Sequence, residues 1–151
     1  MDARSLLVGT FAFFFTLSAW AFDYAQYKTG DLDEILNQKR PDSDVKVLAP
    51  QKLRFEVTLV AYAENCNTGF LKRTMVMLGA SKEAVDRVPI SKCIKVKSAK
   101  GRTASMYIQD SVSEFLPKEV SLGRKITVFS DYLFVGKDGP GILLNEYQNG
   151  K

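Results

Sequence analysis

The stretch KLRFEVTLVAYAEN, residues 52–65, decides the fold. Leu53, Phe55, Val57, Leu59 and Ala61 alternate with Arg54, Glu56 and Thr58. A period of two sends one set to a buried face and the other to water, so the spacing predicts a long, half-buried strand. Beyond it, Asn67-Thr68-Gly69 reads as a turn. FLKRTMVML follows at residues 70–78, where Met75, Val76, Met77 and Leu78 run consecutively. Periodicity does not separate strand from helix in such a run. The turn before it and Gly79 after it favour a strand.

Further on, Ser81 is placed to cap one helical turn in SKEAVDR. VPISKCIKVKSAKGRTASMYIQD, residues 88–110, reads as a hairpin. Ile90, Ile94 and Val96 lie in its first arm, and Met106, Tyr107 and Ile108 in its second. SAKGRT holds the turn, with Gly101 available for positive φ. Residues 110–120 predict a short helix that buries Val112, Phe115 and Leu116. Asp110 or Ser111 is the cap, and Ser111 with Glu114 has capping-box spacing. A second hairpin closes the chain, turning at GKDGPG with its last strand over residues 142–147.

Before the long strand the pattern changes. In TGDLDEILNQKRPDSD, Thr29 or Asp31 can cap a helix, Asp33 and Glu34 fall in its first turn, and Pro41 stops it. Leu32, Ile35 and Leu36 form one apolar stripe at i, i+3, i+4 spacing. A short helix with one stripe docks either on its own domain or on a partner surface.

The chain opens with Asp2, Arg4 and then an apolar run over residues 6–22, shorter than the roughly 20 mostly apolar residues of a spanning helix. It ends in Ala19-Trp20-Ala21, whose small outer residues suit a signal peptidase. These features describe a secretory signal peptide over residues 1–21, cut after Ala21. No transmembrane segment is expected after cleavage, and the location expected is the periplasm or beyond the cell. The lack of any N-x-S/T sequon suits a bacterial periplasm. Residues 22–50 then form a helical lead-in and linker, and residues 51–151 one β domain.

Cys66 and Cys93 are the two cysteines of the chain. In an oxidising compartment an even pair reads as a disulfide. The chain has no His, which removes the commonest general base and metal ligand. No metal, cofactor or catalytic residue is expected. Charge is uneven: residues 22–50 carry four Lys/Arg and six Asp/Glu, and residues 51–151 carry sixteen and ten. The basic body suits acidic glycan, anionic lipid or nucleic acid, of which nucleic acid is the least available outside the cytoplasm. Lys92, Lys95, Lys97, Lys100 and Arg102 crowd the first hairpin as a candidate anion-binding patch. Tyr62, Tyr107, Tyr132 and Phe134 are candidate stacking aromatics, set against a simple core role.

A long first strand, two more, a short helix and a closing hairpin follow the order of the OB-fold, a five-stranded partly open barrel. In that order the chain resembles small exported, periplasmic OB-fold proteins of uncharacterised function, over about two thirds of its length. The resemblance implies the barrel, with the helix between strands three and four, and assigns no residue a role. Secreted nucleases of staphylococcal type share the barrel but need clustered carboxylates. Asp110, Glu114 and Glu119 follow one helix and its exit instead. The function expected is therefore a non-catalytic exported module that docks a protein partner or assembles with itself. The alternative is a binder of acidic glycan or anionic lipid headgroups.

Overall fold

The computed structural model describes residues 21–42 and 45–150. The expected signal peptide lies, but for Ala21, outside the described residues. The chain is mainly β, with six strands in one ring-like sheet and a few short helices. The strands are β1 (Lys28–Thr29), β2 (Val45–Asn65), β3 (Lys92–Lys97), β4 (Thr103–Ile108), β5 (Lys125–Gly136) and β6 (Gly139–Asn149). The helices are α1 (Leu32–Asn37), α2 (Gly69–Met77), α3 (Lys82–Arg87) and α4 (Asp110–Glu119).

The ring closes because β2 is long enough to hold two neighbours. Over residues 45–58 it pairs antiparallel with β5, and over residues 58–65 with β3. Its alternation sets the inner face: Phe55, Val57 and Leu59 are buried in the barrel core with Ile94, Val96, Met106, Ile108, Ile126, Val128 and Leu144. The strand starts at Val45, six residues before the boundary expected at residue 51. An irregularity between Val47 and Gln51 accommodates Pro50, which has no N–H for the ladder. The strand count is also one more than the five expected. The extra strand is the two-residue β1, from the lead-in, parallel to β2 at Leu53 and Arg54.

Across residues 70–78, where a strand was expected, the chain forms the helix α2 through Met77, with Leu78 as its C-cap. The sheet passes from β2 directly to β3, so residues 66–91 are the connection between two neighbouring strands and not a member of the ladder. Leu71 and Thr74, three apart, face inward as a helix turn requires, while Val76, Met77 and Leu78 are exposed. Leu71 joins Ile90, Leu133, Phe134 and Leu143 in a second, smaller core.

The helix at residues 110–120 is present as α4, but Phe115 is 53% exposed, with Lys118 Nζ 5.4 Å from its ring centre. Leu116 and Ser113 face inward instead. No capping box forms. Gln109 is the cap residue, and Asp110 accepts from the N–H and Oγ of Ser91 at 2.9 and 2.8 Å. α3 begins as expected, with Ser81 Oγ accepting from the N–H of Ala84.

Candidate binding cleft

The β3–β4 hairpin turns through Gly101 at φ 80°. Ser98 accepts from the N–H of Gly101 and its own N–H donates to the carbonyl of Arg102. Outward-facing residues of the two arms then lie opposite one another: Cys93 with Tyr107, Lys95 with Ser105, and Lys97 with Thr103. Beside this face a cleft of about 540 Å³ separates the hairpin from the β5–β6 turn. Thr103, Ser105 and Tyr107 form one bank, and residues 136–140 the other. Leu36 of α1 closes one end, and Asn67 and Phe70 close the other.

The wall at the Phe70 end is aromatic. The rings of Phe70 and Phe134 meet edge to face at 4.7 Å, and Tyr107 lies 6.3 Å from Phe134. Phe134 sits across the ladder from Gly141, where any Cβ would come within 2.2 Å of its ring. Glycine at 141 is thus what lets that ring lie flat over β6. Burial, with the negative charge of Asp138 as a second cause, holds the Tyr107 phenol above its ordinary value. Tyr107 therefore stays a neutral hydroxyl at physiological pH. Arg40 donates to the carbonyl of Lys137 at 2.7 Å and fixes the lead-in against the far bank.

The basic residues of the hairpin do not form one patch. Lys95 and Lys97 stand together, exposed, on the face that continues the cleft. Lys92 has the parity of Ile94 and Val96 and is half-buried on the other side of the strand. Lys100 and Arg102 bind α1. Arg102 donates to the carbonyl of Leu36 at 3.0 Å and to Asn37 Oδ1. The Lys100 N–H donates to Asp33 at 3.0 Å, and Ser98 Oγ donates to the same carboxylate at 2.5 Å. The Ser98 hydrogen bond, aided by Lys100 and Arg102, holds the Asp33 carboxyl below its ordinary value.

These contacts place the apolar stripe of α1. Leu32 and Ile35 are buried in the barrel core, with Leu36 packed partly against it. Of the two surfaces on which the stripe could dock, its own domain is the one that covers it. The aromatic group also divides. Tyr107 and Phe134 belong to the cleft, whereas Tyr132 sits in the barrel core with its hydroxyl on Gln38. Tyr62 donates to the carbonyl of Val120. Cys66 and Cys93 are joined in a disulfide that ties the segment between β2 and α2 to β3 beside the cleft, with Cα atoms 5.8 Å apart.

Arg40, Phe70, Lys137 and Asp138 are cleft residues that the sequence reading did not single out. The GKDGPG turn was visible as a turn, and its place opposite the first hairpin follows only from strand order. Among the described residues no group of three His, Cys, Asp or Glu could hold a metal ion. No helix among them is long and apolar enough to cross a membrane. No known protein family, curated protein or solved structure matches the chain.

Proposed function

We propose that the chain is an exported, non-catalytic binding module that docks a protein partner in the cleft between the β3–β4 hairpin and the β5–β6 turn. The observation that carries this reading is the cleft itself, about 540 Å³ with half-buried aromatics on one wall. Concave, partly apolar sites with a few polar groups are the default places where proteins take ligands. An OB-type barrel is the architecture proposed with it. With the two-residue β1 set aside, the other strands run β2-β3-β4-β6-β5 and return to β2, with α4 between β4 and β5. That fold binds ligands on the face of its second and third strands and at two loops beside it. Those elements correspond here to β3, β4, residues 66–91 and the β5–β6 turn. Export is supported by the Cys66–Cys93 disulfide, a bond typical of oxidising compartments.

The reading is tested by cross-linking the protein in its own compartment and isolating its adducts from wild type and from the Phe70→Ala/Tyr107→Ala variant. A protein adduct formed by wild type and lost in the variant is the expected result. Adducts that survive the substitution, or monomer alone, count against it.

A second reading has one observation of its own. Lys95 and Lys97 are exposed side by side, and neither forms an ion pair with another described residue. That pair of lysines suits an acidic glycan or anionic lipid headgroup. Retention on heparin or anionic liposomes at low salt that is abolished by Lys95→Glu/Lys97→Glu would favour it; unchanged retention would remove it.

A further inference from the structure

The ring has a gap on the cleft side. β4 meets β6 only at Tyr107 and Ile108, so residues 103–106 have a ladder partner in β3 alone. Opposite them, residues 139–141 of β6 pair with β5 alone. The hairpin fixes where the spare backbone groups point. Ser98 and Arg102 are a bonded pair, and antiparallel pairs alternate between bonded and non-bonded. Residues 96 and 104 are then bonded, and so are 94 and 106. Thr103 and Ser105 turn their N–H and C=O away from β3, into the cleft.

An edge with unpaired N–H and C=O groups is a template for another strand. The usual protections are missing here: residues 103–106 are Thr-Ala-Ser-Met, without charge or proline, and the β3–β4 register has no bulge. The other bank is poorer. Gly136 and Gly139 flank a two-residue turn, so Pro140 is the residue facing the cleft, and it has no N–H to offer.

The side chains around this edge are mostly cationic. Lys95 and Lys97 lie across from Ser105 and Thr103, and Arg40 stands on the opposite bank. Against these three stand the carboxylates of Asp138 and of Glu64, the latter opposite Cys93. Phe70, Tyr107 and Phe134 can receive an apolar side chain at the far end. We infer that an extended, acidic segment of the protein partner adds to the edge of β4 at Thr103 and Ser105 as a further strand. This rests on the cleft being the docking site. A peptide uses the alternating donors and acceptors of the edge, whereas a glycan leaves that spacing unmatched.

The test is a random dodecapeptide library displayed on phage and selected at low salt against the purified, disulfide-bonded chain. The strongest peptide is then synthesised plain and in two forms N-methylated at alternate residues. The inference expects Asp/Glu-rich sequences, at least tenfold slower amide exchange at Thr103 and Ser105, and at least tenfold weaker binding of one N-methylated form only. No enrichment overturns it, as does tight binding of a heparin hexasaccharide where no peptide binds. Binding without slower exchange at Thr103 and Ser105 also overturns it. In that last case, shifted ring signals of Tyr107 and Phe134 leave docking in the cleft standing, and unshifted signals remove both.

Discussion

Asp33 shows how one side chain does a job its sequence position does not announce. In the sequence it is a first-turn acid suited to the helix dipole. In the fold it is buried, and it accepts from Ser98 and from the N–H of Lys100, so it fastens α1 to the tip of the basic hairpin. Its folded-state carboxyl lies below the ordinary value, chiefly through the Ser98 hydrogen bond. The stabilisation is therefore complete above about pH 4, where the unfolded carboxyl is ionised, and is lost as pH falls through the depressed folded value. Asp33→Asn is expected to melt well below wild type at pH 7, with the gap closing on acidification toward pH 2. Thermal melts across that range check it, and a gap independent of pH would show that charge at Asp33 is immaterial. Gly141 is the second case. Gly141→Ala drives a methyl into the Phe134 ring, with an expected loss of about 1–3 kcal/mol in urea unfolding. Wild-type stability with an unmoved Phe134 signal would contradict the packing described.

At the scale of elements, the disulfide carries the clearest energetic consequence. Cys66 and Cys93 are 27 residues apart, and their loop contains α2 and α3. Closing a loop of that length removes roughly 3–4 kcal/mol of unfolded-state entropy. Cys66→Ser/Cys93→Ser is expected to lose about 3 kcal/mol in urea unfolding, with the smaller core around Leu71 loosening first in amide exchange. A loss under about 1 kcal/mol would mean that α2 is held by packing alone.

The same elements show what the sequence could tell. β2 was legible because its alternation is strict and one face is buried. The β3–β4 hairpin was legible because Gly101 marks its turn and both arms alternate. α2 was not, since a run of four apolar residues has no period. β3 pairs directly with β2 and leaves α2 in the connection between them, which is a property of the whole sheet. Phe115 was misplaced for a related reason: Leu116 fills the available contact with the core and turns its neighbour outward.

For the whole molecule, ring closure by β2 sets the site. Because β2 pairs with both β3 and β5, the loose seam falls between β4 and β6, and the cleft forms there. The individual lysines were legible in the sequence, but their division was not. Strand parity separates Lys92 from Lys95 and Lys97, while contacts made over long sequence separations commit Arg102 and the Lys100 N–H to α1. The aromatic wall was half-legible, because Tyr107 and Phe134 stood out as residues and Phe70 was assigned to the wrong kind of element. The central claim is that this cleft, and no other face, docks a protein. The most direct measurement places the photo-reactive p-benzoylphenylalanine at Tyr107 in one protein and at Glu114, exposed on α4, in another, and irradiates both in their native compartment. A discrete protein adduct from position 107, absent from 114 and lost when Gly141→Ala is added, is the predicted result. An adduct from position 114 alone, or from neither, would contradict the claim.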